Sequence, residues 1–113
     1  MLFYLYVDDI RDNVPLVRIR NLYGVVTLAK AKNYKRAIEW IQAATAEKLN
    51  VVLDLDHDLG EGKTGYDICK FIVTNSIPIR HIHLHTSNPV GMQNMEQLLT
   101  HYGYKVSRSL ASV

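Results

Sequence analysis

Three short clusters of this 113-residue chain carry residue types able to do chemistry on a phosphate: Asp8-Asp9, Asp56-His57-Asp58 and His85-Thr86-Ser87-Asn88. Asp8, Asp9 and Asp56 brought into one small volume would repel one another, so they must share protons or hold a cation. Hard oxygen ligands on a loop rim suit Mg²⁺ or Mn²⁺. The competing reading is that some of these acids cap helices or pair with Arg11, Arg18 or Lys63. His57 and His85 would give two imidazoles on one cleft, one to take a proton and one to give it, as cleavage of a phosphodiester requires. The N–H groups of a helix opening at Asn88-Pro89 could cradle a phosphate, with Gly91 allowing a ligand close to the backbone. Lys63-Thr64, at the start of another helix, could add an anion contact, as could Arg11 beside the acid pair.

Other polar residues read as structural. Asp54 lies on the same strand face as Asp56, deeper, placed to support a histidine or simply to be satisfied in the core. His81, His83 and His85 alternate along one strand and share a face, but no cysteine or third well-spaced histidine completes a zinc set. His83 reads as a hydrogen-bonded core histidine and His81 as a surface residue. Cys69, Trp40 and His101 carry no chemistry in this reading.

For the three clusters to meet, each must end a strand of one sheet. Leu2–Val7 is a buried strand that stops at the two acids. Gly24–Ala31 is a second β-branched run and Val51–Leu55 a third; Ile79–His85 and Tyr104–Ser109 follow. Between them lie helices: one N-capped by Asn33 and running to about residue 48, one capped by Thr64 with Asp67 as capping-box partner, and one from Asn88-Pro89 to Gly103. Around Asn13-Val14-Pro15 any helix is short. Strands alternating with helices predict an α/β three-layer sandwich with a five-stranded parallel sheet in the flavodoxin-like order 2-1-3-4-5. Ligands of such sheets sit beyond the carboxyl ends of the strands, at the switch between strands 1 and 3, where the clusters would gather.

Composition agrees. Apolar residues at 48% and charged ones at 21% are those of a globular chain, which excludes disorder and fibrous repeats; 113 residues make one domain, 1–113. A net charge of +2 excludes a general nucleic-acid clamp, so no extended nucleic-acid surface is expected. The single Cys69 fits a reducing compartment, and no apolar run approaches the roughly 20 residues of a membrane span. The N-terminal apolar run lacks the basic flank and cleavage site of a signal peptide. The expectation is a soluble, cytoplasmic domain with a divalent cation and no organic cofactor.

The motifs VDDIR (Val7–Arg11), LDHDLG (Leu55–Gly60), TGYD (Thr64–Asp67) and HTSNPVGMQNM (His85–Met95) resemble the receiver domains of two-component signalling, and more closely a divergent branch, the cyclic-phosphate processing receiver-like domains. In signalling receivers the acid pair holds Mg²⁺ and the strand-3 aspartate accepts a phosphoryl group. The resemblance implies a receiver-like fold repurposed to process a cyclic phosphate, at an RNA end or in a nucleotide messenger. It places Asp8, Asp9, Asp56, His57, Asp58, His85, Ser87 and Asn88 in the site. The last strand, YKVSRS, departs from signalling receivers. Lys105 lies too early for their phosphate-contacting lysine, and Arg108 replaces it only loosely. The first helix is reduced, and the last helix, used by receivers for output, is expected to be missing after Leu110. The leading expectation is therefore a cyclic phosphodiesterase, in a form that would suit a phage counter-defence protein. The alternatives are a phosphoacceptor receiver using Asp56 and a non-catalytic protein that sequesters a cyclic nucleotide.

Overall fold

The β-branched and aromatic runs form a single parallel sheet. In the computed structural model, which describes residues 2–11, 13–60 and 62–110, it is built from β1 (Leu2–Val7), β2 (Thr27–Ala31), β3 (Asn50–Leu55), β4 (His81–Thr86) and β5 (Val106–Leu110). The order is β2-β1-β3-β4-β5, as expected. Helices α1 (Leu16–Tyr23), α2 (Tyr34–Ala46), α3 (Gly65–Thr74) and α4 (Pro89–His101) make the crossovers. β2 begins three residues later than the β-branched run and β5 two residues later than its own, because Gly24 and Gly103 take positive φ and turn the chain first. The expected absence of a last helix falls on residues 111–113, outside the described residues. No described helix is long and apolar enough to cross a membrane.

The two faces of the sheet differ in chemistry. Phe3, Leu5 and Val7, Val51, Leu53 and Leu55, and Ile82 and Leu84 point into the main core with Ile41 of α2, Ile68 and Ile72 of α3, and Met95 and Leu99 of α4. Period-2 alternation sends the intervening residues to the other face. There Tyr4, Tyr6 and Val52 pack under Ile19 of α1. The register lays Tyr6, Asp54, His83 and Ser107 in one row across four strands, with His85 and Ser109 in the next row toward the rim.

Local signals hold the crossovers. Asn33 accepts from Arg36 N (2.9 Å) at the start of α2, and the Thr64 N–H donates to Asp67 (2.8 Å) at the start of α3. Helix α3 begins so close to the end of β3 that a Cβ on Gly65 would stand 2.0 Å from the Asp56 carbonyl oxygen. Backbone, not a flexible side chain, is in the way. Gly65→Ala should therefore cost about 3 kcal/mol, the upper end of overpacking; an unfolding midpoint in urea within error of the parent would contradict this packing.

Candidate active site

The carboxyl end of the sheet brings two of the acids together with a histidine. Asp8, Asp56 and His85 each offer a ligand atom within 4.8 Å of the others, and all three are buried. Asp9 lies outside this group; it is half-buried beside the turn at Gly60.

His85 sits between two carboxylates. Nδ1 meets Asp54 Oδ1 at 2.5 Å and Nε2 meets Asp8 Oδ2 at 2.9 Å. Ionised carboxylates only accept, so both ring nitrogens carry protons and His85 is an imidazolium. Burial opposes that charge, but the bonds and charges of Asp54 and then Asp8 outweigh it and hold the pKa above the ordinary histidine value. Tyr6 stacks on the ring at 4.8 Å between centroids, the two planes nearly parallel. Asp8 Oδ1 accepts the backbone N–H groups of Ile10 (3.0 Å) and Arg11 (2.8 Å), while Arg11 Nη1 lies 3.4 Å from Asp8 and 3.6 Å from Asp56. Burial alone would raise the Asp8 pKa, and these donors with His85 bring it below the usual value. For Asp56 burial prevails: its pKa is raised, although the Thr86 hydroxyl and the His57 N–H bond it.

His57 is held differently. Its backbone N–H donates to Asp56 Oδ1 (2.7 Å), and its Nδ1 lies 3.1 Å from Asp58 Oδ1 and 3.4 Å from Asn88 Nδ2. The ring packs onto Gly91, where a Cβ would stand 2.5 Å from Cγ and Cδ2. The expected close approach at Gly91 is thus made by His57, not by a ligand. The helix amides are also largely used internally: Asn88 N reaches Thr86 Oγ1, Gly91 N reaches Asn88 Oδ1 and Met92 N reaches the Asn88 carbonyl. The phosphate cradle expected here shrinks to the Val90 N–H, since a capped helix start satisfies its own donors. Thr86 is buried on Asp56, Ser87 is exposed, and Thr64 serves as the α3 cap. The Lys63 ammonium lies over the Tyr34 ring at 4.6 Å. Arg108 turns to Glu96 at 3.3 Å.

Asp54 supports a histidine, one of the two roles read for it in the sequence, but sequence reasoning missed the rest of the layer beneath His85. Asp54 Oδ2 accepts from the Tyr4 hydroxyl and from Arg18 Nη2 (3.0 Å). Arg18 Nη1 lies 2.6 Å from His83 Nε2, and a guanidinium only donates, so His83 is neutral with its proton on Nδ1, facing Ser107 Oγ at 2.7 Å. Ser107 in turn reaches His81 Nε2 (2.9 Å), and His81 Nδ1 meets Tyr23 at 2.5 Å. His83 is the core histidine expected. His81, read as a surface residue, is instead half-buried in this chain, because β5 and α1 both bring hydroxyls to it. The period-2 alternation of Tyr4 and Tyr6 with Asp8, and of Ser107 with Ser109, was the available signal; nothing in the sequence placed Arg18.

Burial pushes the His83 pKa down to about 4. An unfolded histidine takes its proton near 6.5. Between those values the unfolded chain binds more protons, so His83 stabilises the fold above about pH 6.5 and that contribution is lost as pH falls toward 4. In His83→Gln, the slope of unfolding free energy against pH between 6.5 and 4 should flatten; an unchanged slope in urea titrations would refute the assignment.

A family model, the cyclic-phosphate processing receiver domain, matches residues 3–101. Among solved structures, the chain is similar to the chemotaxis protein CheY4 of Vibrio cholerae, with 17% identity and a TM-score of 0.64 over 100% of this chain and 88% of that one. It is also similar to the signal receiver domain of a putative Luxo repressor protein from Vibrio parahaemolyticus, with 18% identity and a TM-score of 0.61 over 95% and 77%. At these identities the likeness shows the receiver fold. No curated protein matches the chain.

Proposed function

Because the chain belongs to the cyclic-phosphate processing receiver domain family, we propose that it is a phosphodiesterase that opens a cyclic phosphodiester of a nucleotide messenger or an RNA end. The observation that carries this reading is the meeting of Asp8, Asp56 and His85 within 4.8 Å, with the backbone N–H of the next residue, His57, on Asp56 Oδ1. Water attacks phosphorus and the ring oxygen leaves, so one proton must be removed and one supplied. His57, fixed by Asp58, Asn88 and Gly91, takes the proton of the attacking water. His85, held charged by Asp54 and Asp8, supplies its Nε2 proton when the leaving oxygen takes the place of Asp8 Oδ2 as the acceptor of that N–H. Its charge and the Arg11 guanidinium offset the charge gathering on the phosphoryl oxygens. The cycle closes when His57 releases its proton and His85 regains one. Thr86, Ser87, Asn88, Lys63 and Thr64 have lesser parts, since most of them are engaged as described.

The donor set also fits a divalent ion. Asp8 and Asp56 are buried hard oxygen donors, with Asp9 close by, while a doubly protonated His85 has no lone pair to give. Bound there, such an ion would add Lewis-acid neutralisation of the phosphoryl oxygens. A panel of 2′,3′-cyclic, 3′,5′-cyclic and cyclic dinucleotides, analysed by mass with and without EDTA, tests the reading. Conversion of at least one member to its linear phosphomonoester is expected. Recovery of every member unchanged would overturn hydrolysis, and tight binding of an unchanged nucleotide would favour sequestration. The receiver fold supports a second reading, phosphoryl transfer to Asp56. Acetyl phosphate should then add a phosphoryl mass that Asp56→Asn loses.

A further inference from the structure

Between α3 and α4 an open hollow of about 400 Å³ is lined by Tyr66, Asn94, Gln97, Leu98, His101 and Tyr102. We infer that it is a nucleobase subsite, so that the ligand of the rim is a nucleoside cyclic phosphate and not a base-free one; this rests on the rim being the phosphate site. The upper end of the hollow, at Tyr66 and Asn94, follows the two helix starts that flank His57, and its lower end, at His101, lies about 15 Å down α4 from Gly91. Gly65, pressed on the Asp56 carbonyl, immediately precedes Tyr66, and Gly91, pressed on the His57 ring, is three residues before Asn94. At a rise of about 1.5 Å per residue, Asn94 and Gln97 lie roughly 4.5 and 9 Å along α4 from Gly91. A base one ribose away from a phosphate at His57 falls within that span.

The chemistry of the lining points the same way. It contains no Lys, Arg, Asp or Glu, although exposed helix faces are ordinarily charged. Asn94 and Gln97, three residues apart, share one face of α4, and neither amide nor the Tyr66 hydroxyl has a hydrogen-bond partner among the described residues. Paired carboxamides beside an aromatic ring offer both donors and acceptors for a base edge and a surface for stacking.

The Asn94→Ala, Gln97→Ala double variant tests this, since both residues are exposed and neither holds the fold. The preference in kcat/KM for a nucleoside 2′,3′-cyclic phosphate over glycerol 1,2-cyclic phosphate should fall about tenfold, the effect of one or two lost hydrogen bonds. An unchanged preference, or none in the parent, would overturn the subsite. A second readout does not depend on turnover: the side-chain amide NMR signals of Asn94 and Gln97 should shift on adding adenosine, guanosine, cytidine or uridine 3′-monophosphate. Shifts without hydrolysis of any cyclic phosphate support the subsite and count against the hydrolysis alone. No shift with any of the four overturns the subsite even if the rim proves catalytic.

Discussion

Asp54→Ala should lower the unfolding free energy by about 3–5 kcal/mol, the cost of removing one partner from a buried charge cluster. Asp54 is fully buried and receives His85 on one oxygen and Tyr4 and Arg18 on the other. Without it the His85 imidazolium keeps only Asp8, and the Arg18 guanidinium keeps only the Tyr4 hydroxyl and His83. A domain of this size has roughly 5–15 kcal/mol of stability in all, so the variant should unfold at a much lower urea concentration, with its m value unchanged. A double-mutant cycle separates the charges: with His85→Gln in the background, Asp54→Ala should cost less than alone, because one stranded cation has been removed. A loss below about 1 kcal/mol would mean that the cluster is solvated and that His85 is not held by it.

His57→Ala should reduce cyclic-phosphate turnover by about 10²–10⁴, the usual worth of a positioned proton-transfer group, while the unfolding midpoint stays near that of the parent. The fold is insensitive because the ring is partly exposed and its polar partners, Asp58 and Asn88, lie at the surface or cap a helix. Gly91→Ala is the sharper companion. It removes no chemical group, yet its methyl would stand 2.5 Å from the imidazole and must displace it. Turnover should fall in both variants. Full activity in His57→Ala would take the proton acceptor away from this residue, and activity lost only in Gly91→Ala would locate the defect in α4 itself.

Strand positions and the identity of the rim were legible because they rest on short-range pattern. A run such as Leu2 to Val7 buries five consecutive residues, and the parallel order follows from alternation with helices. The acids and imidazoles at strand ends were equally visible. What could not be read is which partner each would meet. Asp9 and Asp8 are adjacent, yet only Asp8 turns onto His85, because its other oxygen is tied to the amides of Ile10 and Arg11. Gly91 advertised room for a ligand, and the residue filling that room comes from a loop 34 positions earlier. Arg18 reaches Asp54 across 36 residues from a helix whose angle no local signal sets.

Helix α1 buries one side chain, Ile19, and is otherwise anchored by Arg18 on Asp54, Tyr4 and His83 and by Tyr23 on His81. One carboxylate therefore serves two masters: it keeps the proton on His85 and moors the helix. Local opening of α1 should thus be far easier than opening of the strands beneath it, and amide exchange along residues 16–23 becomes a gauge of the Arg18–Asp54 pairing. Whatever parts Arg18 from that carboxylate sets the helix adrift before the sheet loosens.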